Sequence, residues 1–162
     1  MGYTRYWERT NEPITQEFLD DVNEILNNCK KKGIMIRNGW GDGEPEISLD
    51  AVCFNGDRSK GLDHEGFLIN NEPSDFDFCK TARKPYDYAV RKVLTKAKEH
   101  GLVKNVRSDG ANNKVISDAE YLGEDALSKN ERAANAIVEK MPDFVNKDWM
   151  RKEVLDVLNR YV

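Results

Sequence analysis

The sequence predicts an α+β fold: an antiparallel sheet of about five strands with two helices on one face, followed by a C-terminal helical pair. Three observations carry this. Short β-branched and aromatic runs are bounded by Gly, Pro and Asp turns, two stretches repeat apolar residues at helical spacing, and from Asn112 onward helix formers appear without strand patterns. The order strand, helix, strand, strand, strand, helix, strand follows a split βαβ plan with one strand added. Residues 1–111 are expected to form the α+β core and residues 112–162 a helical appendage.

Residues 3–10, YTRYWERT, alternate as a strand, with Tyr3, Arg5 and Trp7 on one face and Thr4 and Tyr6 on the other. A helix follows. Thr15 is its N-cap, Ile14 and Leu19 form a hydrophobic staple, and Phe18, Val22, Ile25, Leu26 and Cys29 make one stripe that ends at Gly33. GIMIR at 33–37 reads as a second strand, before the Gly-rich loop NGWGDGEP. A third strand spans ISLDAVCFNG, with Ile47, Leu49, Ala51 and Cys53 on one side and Val52 and Phe54 on the other. EGFLIN is a fourth, paired with the third as a hairpin across a long connection. DFDFCK adds a brief strand before a helix in which Pro85 takes a first-turn position and Tyr86, Ala89, Val90, Val93, Leu94 and Ala97 recur at helical spacing. LVKNVR ends the core as a last strand before the turn SDG. In the appendage, helices over 126–141 and 147–161 are separated by Pro142; Trp149, Val154, Leu155, Leu158 and Tyr161 make the stripe of the second, suited to a sheet face or a homo-oligomer.

With 162 residues, 39% hydrophobic and 33% charged, the chain is long enough to bury a core without staples. The apolar runs are too short for a membrane span, MGYTRYWERT lacks a signal-peptide core, and cytoplasmic residence is the expectation. Gly2 fits a myristoylation signal only by chance. Cys29, Cys53 and Cys79 are odd in number and widely spaced, against a disulfide framework or a CxxC metal knuckle. A net charge of −4 argues against general binding of duplex nucleic acid.

The segment 63–87, DHEGFLINNEPSDFDFCKTARKPYD, concentrates reactive side chains. His64 with Glu65 suggests a general base with a carboxylate partner, although strand neighbours point to opposite faces. Asp63 and Glu65 share a side and would hold a metal only if a third ligand such as Asp109 joined them. Cys79 beside Lys80 reads either as a stabilised thiolate or as a buried small hydrophobe after Phe76 and Phe78. His100 is explained by its place at a helix end. The run Lys80, Thr81, Arg83 and Lys84 lies ahead of a helix start, where backbone N–H groups and the helix dipole favour an anion; the plainer reading pairs these cations with Asp75, Asp77 and Asp87. GDGEP and SDG match no nucleotide-binding fingerprint.

The blocks GDGEP, FNGDRSKGLDHEGF, FCKTARKPYD and SDG resemble a group of small proteins encoded by tailed bacteriophages and prophages, over residues 3 to about 110. That family implies no activity, cofactor or catalytic residue. It does imply a setting in a bacterial host, and two functions fit it. In the first, the chain captures an anionic, nucleotide-like ligand or blocks a host or defence protein. Lys80, Thr81, Arg83 and Lys84 grip the anion with Tyr86, Asp87, Asn55 and Asp109 nearby, and Trp40 or Tyr86 stacks on a base. In the second, it is a small metal-assisted hydrolase or nucleotide-modifying enzyme with His64 as base and Asp63, Glu65 and Asp109 around a metal or water. The absence of a known catalytic signature favours the first. A third setting is a virion or replication accessory protein.

Overall fold

The computed structural model describes residues 2–111 and 113–161, without the side chains of residues 124–129 and 161. It is an α+β protein with two compact units, Met1–Asp118 and Ala119–Val162. The strands form two three-stranded antiparallel sheets where one sheet of about five strands was expected. In the first, β1 (Thr4–Arg9) lies between β5 (Ser74–Lys80) and β6 (Val103–Ser108); in the second, β3 (Ala51–Phe54) lies between β2 (Glu46–Ile47) and β4 (Phe67–Asn70).

Local hydrogen bonding explains the division. The strand expected from Ile47 onward folds back on itself, because Ser48 N–H donates to Ala51 O at 2.9 Å and its hydroxyl accepts from the Asp50 and Ala51 amides. The strand expected at 33–37 is reduced to one bridge between Arg37 and Asn55. Its other amides serve elsewhere: Ile34 N–H closes the preceding helix on Cys29 O, and Met35 N–H donates to the Asp118 carboxylate. The segment at 74–80, expected to be brief, is the longest strand of the molecule.

The helix α1 (Gln16–Lys31) starts as expected, with the Thr15 hydroxyl accepting from Phe18 N–H at 3.2 Å. It packs against α2 (Asp87–Glu99), which Pro85 and Tyr86 lead into as a turn. Phe18, Val22, Ile25 and Cys29 of α1 meet Val90, Val93, Leu94 and Ala97 of α2 and the inner residues of both sheets, Trp7, Val52, Phe54, Phe67 and Ile69, in one core. Arg9 ties the sheets together: its guanidinium donates to Asn70 O at the end of β4 and to Leu102 O before β6. His100 does more than end α2, since its Nε2 meets the Asp21 carboxylate of α1 at 2.6 Å.

The second unit holds the short α3 (Asp118–Leu122, whose first residue belongs to the first unit), α4 (Glu124–Glu139) and α5 (Lys147–Tyr161). Pro142 separates α4 from α5 as expected, and the two pack together with an Asn130–Asn159 side-chain bond of 2.8 Å. Val154, Leu155 and Leu158 are half-buried, whereas Trp149 is 57% exposed; the Tyr161 and Ala126 side chains and the boundary residue Asn112 lie outside the described residues. No described helix is long and apolar enough to cross a membrane.

Candidate ligand-binding site

The segment 80–87 is built around a buried ion pair. Arg5 on β1 donates to the Asp87 carboxylate through Nε and Nη2, both at 2.8 Å, and the Thr81 hydroxyl donates to the same carboxylate at 2.7 Å. All three residues are buried. This bidentate geometry pins the start of α2 to the central strand, which is the role of Thr81 and Asp87 in the fold. Tyr86 is buried as well. Its hydroxyl donates towards Glu65 O at 2.7 Å, and burial pushes the phenol far above its usual range.

Between these anchors the chain makes a tight turn with two non-glycine residues at positive φ, Ala82 at 53° and Arg83 at 58°. Such conformations are uncommon and cost energy that surrounding contacts must offset. The contacts are visible. Thr81 and Ala82 amides donate to Tyr3 O, the Arg83 guanidinium lies 4.8 Å from the Tyr3 ring centroid, and Lys84 Nζ donates to Gly61 O and Asp63 O at 2.9 and 2.7 Å. Lys84 is therefore a strut for the 55–66 loop.

That loop turns on Asn55 and Gly56. Asn55 is buried and uses its whole amide: Nδ2 donates to Gly39 O and His64 O, and Oδ1 accepts from the Gly56 and His64 amides. A Cβ on Gly56 would stand 2.0 Å from Leu62 O, and one on Gly66 would stand 2.8 Å from Gly39 O. Asp57 caps the short 3-10 turn Arg58–Lys60; the Ser59 hydroxyl hydrogen bond holds its carboxyl below the usual carboxylate range.

His64 and Glu65 both reach the backbone of Lys80 and do not bond each other. The His64 ring is exposed, and Nδ1 lies 2.7 Å from Lys80 O; a carbonyl only accepts, so Nδ1 carries the proton. Glu65 N–H donates to that same carbonyl, and its carboxylate accepts from Lys80 N–H at 3.3 Å. Asp109 is turned to the other side of β1, where it accepts from Thr4 N–H at 3.0 Å and the Tyr6 hydroxyl at 2.8 Å. Glu65 and Asp109 thus face different partners, and among the described residues no group of three His, Cys, Asp or Glu side chains is placed to hold a metal ion. Cys79 is fully buried with its thiol directed at Glu65 O, and burial pushes its pKa up to about 12. A thiolate is not accessible there near neutral pH.

Compared with protein-family models, curated proteins and solved structures, the chain matches none. The site therefore stands on its own geometry. Of the residues singled out, Lys80, Arg83 and His64 present their side chains to solvent, while Thr81, Lys84, Tyr86, Asp87, Asn55 and Asp109 engage internal partners. Trp40, 78% exposed, overhangs a cleft of about 460 Å³ whose lining includes Asn38, Glu46, Cys53 and Leu68 and none of the cations at 80–84.

Sequence reasoning missed the aromatic surface next to Lys80. Phe76 and Phe78 point outward with Lys80 while Cys79 points inward, and Lys80 Nζ lies 5.8 Å from the Phe78 ring centroid. The alternation in DFDFCK carried that signal. Treating the two phenylalanines as apolar neighbours of Cys79 overlooked that residues 76, 78 and 80 share the face opposite to it.

Proposed function

We propose that the chain is a binding protein that captures an anionic, nucleotide-like ligand at a lip formed by Lys80 and Arg83. The observation that carries this reading is the division of labour within 80–87. Asp87, Thr81, Lys84 and Tyr86 hold a strained turn rigid, and the two remaining cations stand exposed on the turn and at its entrance, each against an aromatic ring. The backbone that carries these two cations is already held in place, so a phosphate meets them with little further loss of backbone freedom. Phe78 beside Lys80 offers a flat apolar face for the ligand's base.

The resemblance to tailed-phage proteins gives this activity a setting in the cytoplasm of a bacterial host, where capture of a nucleotide signal would protect the phage. A second role in binding a partner, a host protein or another copy of the chain, is favoured by the helical unit. There Ile137, Phe144, Trp149 and Val157 are all exposed, Phe144 at 90%. The hydrolase reading with His64 and Glu65 is weaker, because the Glu65 carboxylate engages Lys80 N–H and orients no imidazole.

Thermal denaturation with nucleoside mono-, di- and triphosphates tests the lip. A ligand at 100 times its Kd adds about 2.7 kcal/mol to native-state stability. The expected result is a rise in Tm that Lys80→Ala and Arg83→Ala reduce and His64→Ala leaves largely intact. Consumption of the nucleotide, abolished by His64→Ala, would instead establish an enzyme.

A further inference from the structure

The outward face of the first sheet carries a constellation larger than the lip. Tyr6 on β1 stands in register with Phe78 on β5 and with Arg107 on β6, so these three residues form one row across the sheet. Phe76 lies beside the row, with its ring centroid 5.9 Å from that of Tyr6 and 5.7 Å from that of Phe78. Phe76 and Phe78 are 52% and 42% exposed. The core does not need them there: Trp7, Cys79 and Val103 of the same three strands fill its side of the sheet.

Three cations, Lys80, Lys104 and Arg107, lie around these rings. The Arg107 guanidinium lies 5.3 Å from the Tyr6 centroid, Lys80 Nζ lies 5.8 Å from that of Phe78, and exposed Lys104 pairs in register with Glu8. The two carboxylates of this face already accept hydrogen bonds. Asp109 takes the Tyr6 hydroxyl and Thr4 N–H, and Glu8 takes the Asn105 side chain. Lys80, Lys104 and Arg107 outnumber Glu8 and Asp109 on this face, which carries a cationic excess although the whole chain is at −4.

We propose that this face is a stacking platform for single-stranded nucleic acid, with Tyr6, Phe76 and Phe78 receiving bases and Lys80, Arg107 and Lys104 meeting the phosphates between them. This rests on the reading of Lys80 as a nucleotide grip and extends it from one nucleotide to a strand. Exposed rings on a rigid sheet accept the flat face of any base, and an adjacent guanidinium or ammonium group neutralises the backbone that the base brings with it. Lys80 Nζ lies near the outer limit of a cation–π contact, about 6 Å, so its long stem is free to swing to a phosphate as a base arrives. A duplex hides its base faces and calls for more phosphate contacts than three cations supply. A protein partner covering the face would have to bury Lys80 and Arg107 over the rings.

Fluorescence anisotropy with a labelled oligo-dT 12-mer, the same sequence as a duplex, and unlabelled dTMP as competitor tests the proposal on the full chain. The single strand is expected to bind, with the duplex and dTMP far weaker. Phe76→Ala and Phe78→Ala, at exposed positions, should each weaken the single strand roughly tenfold or more, and Arg107→Glu should weaken it while circular dichroism shows an unchanged fold. The plot of log K against log salt should have a slope of about −2, as for three phosphate contacts on a single strand. If dTMP binds through Lys80 and Arg83 but the 12-mer binds no tighter, or if the phenylalanine variants bind it unchanged, the platform is refuted and the single-nucleotide reading stands. If neither binds, both fall. Equal binding of duplex and single strand would also overturn it, because stacking needs open base faces.

Discussion

Arg5 and Asp87 meet inside the protein with two parallel hydrogen bonds, and Thr81 supplies a third to the same carboxylate. Removing one partner of a buried pair leaves the other charged without compensation, so Arg5→Ala should lower stability by about 3–5 kcal/mol, read from urea unfolding. The cysteines act on pH dependence instead. Burial pushes the thiols of Cys29 and Cys79 up to about 12, above the ordinary thiol value of about 8.5. Because the folded values are raised, their contribution to stability is fully present below about pH 8.5 and is lost as pH rises toward 12. Alkaline unfolding should therefore begin earlier for the wild type than for Cys79→Ala, relative to each protein's own Tm at pH 7. Of these residues, the sequence showed Thr81 and Asp87 as members of a dense polar cluster. It did not show that they form the internal scaffold of that cluster, since their partner Arg5 is 82 residues from Asp87 along the chain.

Among the elements, α1 was legible to its capping residue, because Thr15 and the stripe from Phe18 to Cys29 are local signals. The division into two sheets was not. It depends on where the backbone amides of 33–37 and 48–51 find acceptors, and Asp118, one of those acceptors, is 83 residues from Met35. The loop 55–66 shows why local motifs mislead about function. Asn55, His64 and Glu65 looked like site residues, yet Asn55 is spent on the loop backbone, Gly56 and Gly66 allow close backbone crossings, and Gly56 has no room for a Cβ. Gly56→Ala should destabilise the protein by several kcal/mol, more than substitutions at ordinary loop positions, and should lower Tm by about 10–20 °C. The measurement is a thermal melt beside Gly61→Ala. Nothing lies within 4 Å of a Cβ at Gly61, although its φ of +68° adds modest strain.

On the scale of the whole molecule, the first compact unit ends at Asp118, whereas the compositional change in the sequence lies near residue 111. Asp118 belongs to the first unit physically: its carboxylate accepts from Met35 N–H and its amide donates to Gly33 O at 3.0 Å. A chain ending at 118 should fold cooperatively and exceed one ending at 111 in stability by about 1–3 kcal/mol, the cost of leaving buried amide groups unpaired. Sedimentation of the same pair against the full chain would show whether self-association is lost with the helical unit, as the exposed Phe144 and Trp149 lead one to expect.

The claim that binds these scales together is that a rigid turn presents Lys80 and Arg83 to an anionic ligand. Isothermal titration of nucleoside triphosphates into the wild type, Lys80→Ala, Arg83→Ala and the charge-conserving Arg83→Lys tests it most directly. The account predicts saturable binding by the wild type, with each alanine variant at least tenfold weaker and Arg83→Lys intermediate, since a lysine keeps the charge and loses the planar fork. Equal heats from all four proteins, or binding that survives both alanine substitutions, would contradict it.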